Sequence, residues 1–290
     1  MDSNRQRKKK QFKDDNKVRE ANRKMKMRDG HNGRDGYTTM INQLWLTEDQ
    51  AENHKESSKM RICICVRKRP MFDKERVGEY FDCVSTCNPT IRVHEPKVKV
   101  DGITKYVDTT DFKFDNVYGD MKSTESLYQT MINPVLENLF NQGIVTCFAY
   151  GQTGSGKTYT MKGVQGFSIN DLFSLGEGKY AEEEPYFTAS FFEIYGGKLF
   201  DLLNNKRKLV IREDYNNKFQ IPGIKTVQVN TPNEMLEVLE HGNASRVTQA
   251  THANDESSRS HAVCQVNIYS AARRGAKLGQ LMLVDLAGSE

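Results

Sequence analysis

The chain has no apolar run near the roughly 20 residues a membrane span requires, and its N-terminus has no hydrophobic leader core. A soluble, intracellular protein is therefore expected. None of its six cysteines, Cys63, Cys65, Cys83, Cys87, Cys147 and Cys264, forms a CxxC pair, and Cys63, Cys65 and Cys147 lie in apolar, strand-like runs. That pattern argues against a zinc or disulfide framework and for reduced core thiols. There is no internal repeat and no heptad run, so sequence alone leaves the oligomeric state open.

What is present is 37% hydrophobic residues in 290, enough to build the core of one large α/β domain or two small ones. The net charge of +4 is unevenly spread: residues 1–40 hold 13 Lys/Arg against 6 Asp/Glu, or +7, which leaves −3 for the rest. This arm suits a polyanion, whether nucleic acid, acidic lipid or an acidic protein tail, and equally a solvated tail or an import signal around Arg7 to Lys10. With few large apolar residues, Met1 to Arg28 cannot bury a face of its own. DGHNGRDG at 29–36 predicts a helix-breaking boundary. After a second polar stretch, Glu48 to Lys59, the globular part is expected to start near Met60.

From there RICICVR (61–67) reads as a buried strand stopped by Pro70. The spacing of Leu127, Met131, Val135 and Leu139 predicts a helix that Pro134 kinks. GIVTCFAY (143–150) predicts a second buried strand. TPNE at 231–234 is a capping box opening a helix that Gly242 closes. AVCQVNIYS (262–270), a turn, and QLMLVD (280–285) predict a late hairpin. Strands mixed with helices imply an α/β fold, a mixed central β-sheet flanked by helices.

The chemistry is concentrated in GQTGSGKT, Gly151 to Thr158, which matches G-x-x-x-x-G-K-[ST] directly after a strand and where a helix can begin. Its glycines let backbone N–H groups converge on a β-phosphate; Lys157 suits the β- and γ-phosphates and Thr158 suits Mg²⁺. LVDLAGSE (283–290) brings Asp285 to the carboxyl end of a strand, where a carboxylate reaches Mg²⁺ through water, and Gly288 leaves an N–H for the γ-phosphate. NDESSRSH (254–261) offers Ser258 as a metal ligand or positioner of the attacking water, and Arg259 as a partner for Glu290. Each later stretch alone could be an ordinary Ser-rich loop or strand-to-turn Asp-Gly. All three in this order point to phosphoryl transfer.

GQTGSGKTYTM, NDESSRSH and LVDLAGSE, with RKRP at 67–70, resemble the kinesin motor domain over about residues 60–290, a P-loop NTPase fold. The resemblance implies an ATPase using ATP/ADP and Mg²⁺, with microtubules as partner. It implies that Arg67, Arg69, Pro70 and Tyr159 surround the adenine, and that Gln152, Thr153, Gly154, Ser155, Gly156, Lys157 and Thr158 hold the phosphates. Residues 254–261, with Ser257, Ser258 and Arg259, would form switch I, and 285–290, with Gly288 and Glu290, switch II. Thr158, Ser258 and Asp285 would serve the metal. Residues 1–59 would be a basic neck and linker favouring acidic tubulin tails. A motor core would continue beyond Glu290, so the motor domain is expected to be C-terminally incomplete here, with any homodimer formed through other regions.

Within kinesins, HEPKVKVDGITKY (94–106) resembles the hairpin of the kinesin-13 family, whose tip carries Lys-Val-Asp, here Lys99, Val100 and Asp101. This chain has Gly102 and Ile103 before Thr-Lys-Tyr where the family has one residue, and AGSE where the family commonly has AGNE. The resemblance implies an ATP-dependent depolymerase acting at microtubule ends in the cytoplasm, on spindle or flagellar tips, with no nucleic-acid or membrane partner. A translocating kinesin, or a nucleotide-regulated microtubule binder without turnover, are the alternatives.

Overall fold

Strand β3 (Thr90–Val98) and strand β4 (Lys105–Lys113) pair over their full length, whereas β2 (Val84–Cys87) pairs only with the first residues of β3, Thr90 to Val93. The computed structural model describes residues 30–47, 51–77, 80–247 and 259–290. These form two compact units: one within Met1–His54 and Ile64–Met121, the other within Lys55–Cys63 and Lys122–Glu290.

The first unit contains helix α1 (Gly30–Gln43), β1 (Cys65–Arg67), a short helix α2 (Asp73–Val77), the antiparallel β2–β3–β4 sheet, and β5 (Asn116–Tyr118), which pairs in parallel with β1. Helix α1 runs through the DGHNGRDG stretch that was expected to break a helix. Each helical glycine costs about 1 kcal/mol, and tertiary packing of the second half, where Ile41 is 3% exposed, outweighs that local preference. The predicted buried strand 61–67 is realised only at its last three residues, and Ile62 and Ile64 are exposed, because β1 has a single short neighbour. The Asn88 side chain ties this unit together: its Oδ1 accepts from Val117 N–H at 2.7 Å and its amide donates to Glu52 C=O at 2.9 Å.

The second unit opens with α3 (Thr124–Met131), capped by Ser123 Oγ accepting from Ser126 N–H at 3.0 Å, and α4 (Asn133–Leu136). Pro134 does not kink one helix; it sits in the first turn of a new one, where its missing N–H costs nothing. After β6 (Ile144–Ala149) comes α5 (Lys157–Glu177), 21 residues without interruption. Met161 and Asp171 both lie within this one helix.

Then follow β7 (Pro185–Tyr195), β8 (Lys198–Asp201), β9 (Arg207–Leu209), the small β10–β11 ladder (Arg212–Glu213, Phe219–Gln220), β12 (Val227–Val229), α6 (Pro232–Val247), β13 (His261–Ser270) and β14 (Ala276–Asp285). The seven-stranded sheet has the order β6–β14–β13–β7–β8–β9, with β12 also on β7; β6 and β14 are parallel and the other pairs antiparallel. The mixed sheet read from the sequence is therefore present. β6, predicted buried, is the end strand of this sheet, with Ile144 and Phe148 exposed.

Half of the expected capping box forms as drawn: Thr231 Oγ1 accepts from Glu234 N–H at 3.2 Å, while Glu234 Oε2 reaches one residue further back and accepts from Asn230 N–H at 2.8 Å. Gly242, however, does not close α6. It lies inside the helix against the ring of Phe191, where a Cβ would come within 2.1 Å of Cδ1. The opposite sheet face packs Phe192, Leu199, Leu209, Val263 and Val284 into an apolar cluster. All six cysteines are free thiols, and burial pushes Cys147 up to about 11 and Cys264 up to about 12.

Candidate functional site

In the second unit, the parallel pair β6 and β14 ends at Ala149 and Asp285, which are register partners. The loop leaving β6 turns through Gly151, Gly154 and Gly156, all at positive φ, and Gly156 in the left-handed region starts α5. Gly151 to Lys157 thus lie at the N-terminus of a long helix, whose unpaired N–H groups and dipole favour an anion. Lys157 Nζ donates to the carbonyls of Gly151 and Gln152 at 2.8 and 2.9 Å, so the ammonium is held over the loop by groups that a phosphate can replace.

Thr158 Oγ1 donates to Asp285 Oδ2 at 2.7 Å, which brings together two of the three residues expected to serve Mg²⁺. Asp285 is 5% exposed, and its Oδ1 has no hydrogen-bond partner among the described residues. A buried carboxylate oxygen left unpaired is costly and suits a cation or its bound water, so these residues fit the metal that the motif implies. The third expected ligand, Ser258, and its neighbour Ser257 lie outside the described residues.

Sequence reasoning missed Arg246 on α6. Its Nη1 donates to Asp285 Oδ2 at 2.6 Å, its Nη2 to Ser260 C=O at 2.7 Å and its Nε to Ser260 Oγ at 3.2 Å, all within a site where Arg246 is 4% exposed. No motif flags an arginine in the last turn of a helix. The one available signal was that a buried carboxylate needs a cation.

After β14 the chain crosses the phosphate loop. Ser289 N–H donates to Gly151 C=O at 3.3 Å, and Glu290 Oε1 accepts from Thr153 N–H at 2.7 Å. Hydrogen bonds from the Thr153 side chain and N–H, with Lys157 nearby, lower the Glu290 carboxyl below its ordinary value. Glu290, expected to pair with Arg259, thus has its carboxylate on the loop in this structure. Gly288 lies close under the same groups: a Cβ there would meet Thr153 Oγ1 at 2.5 Å. Ala287 N–H donates to His261 Nδ1 at 3.0 Å, tying the start of β13 to the chain after β14. Tyr159 is 72% exposed.

Arg67, Arg69 and Pro70 belong to the first unit. Arg69 is engaged there by Glu75, Nη1 to Oε2 at 2.8 Å and Nη2 to Oε1 at 2.7 Å, with its guanidinium 4.3 Å from the Phe72 ring centroid. That pairing, with Phe72 N–H, holds the Glu75 carboxyl down to about 2. Lys68 N–H donates to Tyr118 C=O at 2.9 Å, fixing the end of β1.

The hairpin β3–β4 is also in this unit. Lys99 N–H donates to Thr104 C=O at 2.9 Å, and Gly102, at positive φ, lets the chain reverse. Of the three tip residues, Asp101 faces its own turn: Oδ1 accepts from the N–H groups of Ile103 and Thr104 at 2.9 and 2.8 Å, and Oδ2 from Thr104 Oγ1 at 2.5 Å. These bonds lower its pKa. Val100 is fully exposed and Ile103 is 83% exposed, so the tip presents apolar surface beside Lys99.

The family model for the kinesin motor domain matches residues 67–290. The chain is 44% identical over 237 residues to a diatom spindle kinesin-1 of Cylindrotheca fusiformis, covering 81% of this chain and 37% of that protein. It is 40% identical over 245 residues to kinesin-like protein KIN-13B of Arabidopsis thaliana, covering 83% and 36%. It thus spans about a third of the length of these relatives. A solved fast kinesin superposes with a TM-score of 0.67 at 29% identity, covering 79% of this chain and 66% of that one. The P-loop NTPase-type sheet, the phosphate loop at the head of α5 and these matches agree: the chain belongs to the kinesin motor domain family.

Proposed function

We propose that this chain is the nucleotide-hydrolysing, tubulin-binding part of a kinesin that removes tubulin from microtubule ends. The observation that carries the enzymatic half is the grouping of Lys157, Thr158, Asp285 and Glu290 around one glycine loop. ATP is cleaved by water to ADP and phosphate. Lys157 leaves the loop carbonyls for the phosphates, and Thr158 and Asp285 would hold Mg²⁺, which would supply positive charge against the phosphates. Glu290 and Gly288 close over the loop as switch II; Ser257, Ser258 and Arg259 act from switch I. Tyr159 serves the adenine.

The hairpin supports the depolymerase reading over that of a walking motor. It is a long two-stranded finger with an apolar tip at Val100 and Ile103 and with lysines at 97, 99 and 105. A finger that contacts curved tubulin better than straight shifts that equilibrium by its differential affinity, and by no more. The relative named as a KIN-13B adds weight.

The test sediments stabilised microtubules after incubation with the full-length protein and ATP. ATP-dependent, salt-sensitive release of tubulin is expected. Tubulin retained in the pellet despite brisk ATP turnover would favour a translocating kinesin, and turnover no faster with microtubules than without them would favour a binder.

A further inference from the structure

β2 begins at Val84, the register partner of Val93, and His94 N–H still donates to Cys83 C=O at 2.7 Å; beyond that the finger, Glu95 to Val98 with Lys105 to Asp108, has no third strand beside it among the described residues. Two strands alone are marginally stable in water. Pro96 on β3 lacks a donor, which suits an edge without a strand neighbour. Something else has to hold this finger, and the segment that precedes the globular part makes contacts along its length.

Near the tip, Tyr37 on α1 grips both strands: its Oη donates to Lys97 C=O on β3 at 3.0 Å, and the Lys105 ammonium on β4 lies 5.4 Å from its ring centroid. The same ring meets Phe81 edge-on at 6.0 Å. At the root, Arg92 bridges Asp111 across the strands at 2.6 and 2.8 Å and donates to Leu44 C=O at 3.1 Å. Leu46 N–H donates to Ser85 Oγ at 3.2 Å, and Ser85 Oγ is hydrogen-bonded to His94 Nε2 at 2.9 Å. Between them Trp45 stacks on His94, with centroids 5.6 Å apart and planes 7° apart, while Lys68 Nζ lies 5.0 Å from the Trp45 ring centroid. Lys68 in turn is bound to Asp82 at 2.7 Å and sits between Arg67 and Arg69.

We propose that Tyr37 to Leu46 form a brace that sets the pitch of the finger, and that Trp45, held between His94 and Lys68, is the joint linking the finger to the end of β1. Trp45 and Tyr37 are positioning residues: their contacts are to the finger and to the end of β1, and through these they fix where the tip stands. The effect on tubulin rests on the finger reading given above; the mechanical coupling does not. Losing the joint leaves the tip chemistry intact but spreads the finger over many orientations, which lowers its differential affinity for curved tubulin.

The experiment compares wild type with Trp45→Ala, Trp45→Phe and Tyr37→Phe in the full-length protein. It measures amide hydrogen exchange of the finger without tubulin, basal ATP turnover, and tubulin released per ATP hydrolysed. Trp45→Ala should speed finger exchange by about tenfold, the scale of one lost aromatic stack and one lost cation–π contact. It should lower release per ATP by about as much while leaving basal turnover within about twofold of wild type. Trp45→Phe restores most of both, and Tyr37→Phe, which keeps the ring and loses the hydroxyl, falls between.

Unchanged finger exchange in Trp45→Ala overturns the brace, and faster exchange with undiminished release overturns its role toward tubulin. If Trp45→Ala fails to fold, Tyr37→Phe decides by the same two readouts. If wild type releases no tubulin, the depolymerase reading fails while the exchange comparison still decides the brace.

Discussion

Arg246 and Asp285 meet at 2.6 Å within the protein interior, and the carboxylate oxygen that accepts from Arg246 also accepts from Thr158 at 2.7 Å. One oxygen therefore serves a structural cation and a hydroxyl of the nucleotide site, so the two roles cannot be changed independently. Removing the arginine leaves a carboxylate only 5% exposed without its cation. Arg246→Ala should cost about 3–5 kcal/mol in urea unfolding, and a loss below about 1 kcal/mol would mean the pair is solvated.

Gly242→Ala sets two effects against each other. Alanine improves helix propensity by about 1 kcal/mol, but its Cβ would stand 2.1 Å from the Phe191 ring, and such overpacking costs about 1–3 kcal/mol. The variant should be net destabilised by thermal unfolding. Adding Phe191→Leu should recover much of the loss; if it does not, steric contact is not the cause.

The finger tip separates into a presenting and a holding residue. Val100→Ala should leave the finger's amide exchange at the wild-type rate and reduce tubulin release. Asp101→Ala should both loosen the turn and reduce release, since its carboxylate closes the turn through Ile103 and Thr104. Replacing Lys99, Val100 and Asp101 together should abolish release while lattice binding in a cosedimentation assay persists. Wild-type release by that triple variant would remove the tip from the mechanism.

His94 is 1% exposed, and burial, reinforced by Arg92, lowers its pKa from the ordinary 6.5; Asp111 and Asp82 oppose the shift. Its Nδ1 has no partner among the described residues. With the folded value depressed, the unfolded chain takes up the proton first. Stability is therefore unaffected well above pH 6.5 and falls as pH drops through that value toward the folded one. Urea midpoints measured from about pH 8 to about pH 5 should show this slope, and His94→Gln should flatten it.

How much of this could be read in advance follows from the range of the interactions. The phosphate loop, the capping box at Thr231 and the hairpins were legible because each is written within a few consecutive residues. The pairing of Thr153 with Glu290, 137 residues apart, and of Arg246 with Asp285, 39 apart, has no local signature. Gly242 read as a terminator because sequence shows what a glycine permits, not what ring lies against it. The helix through DGHNGRDG was misread for a related reason: local preference there is outweighed by Ile41, whose burial depends on distant strands. Pro134 was ambiguous, since a proline that kinks a helix and one that begins a helix look alike until the preceding turn is known to end.

The 21 residues of α5 have a mechanical meaning. At 1.5 Å per residue they make a strut about 31 Å long, with the phosphate loop at one end and, near the other, the Phe173 ring 4.3 Å from that of Phe187 on β7, their planes tilted by 36°. With no loop between Met161 and Asp171 to absorb motion, a displacement at the nucleotide end cannot be damped along the way. A push on the loop end of such a strut falls on the Phe173–Phe187 contact, on the sheet face that α5 itself covers.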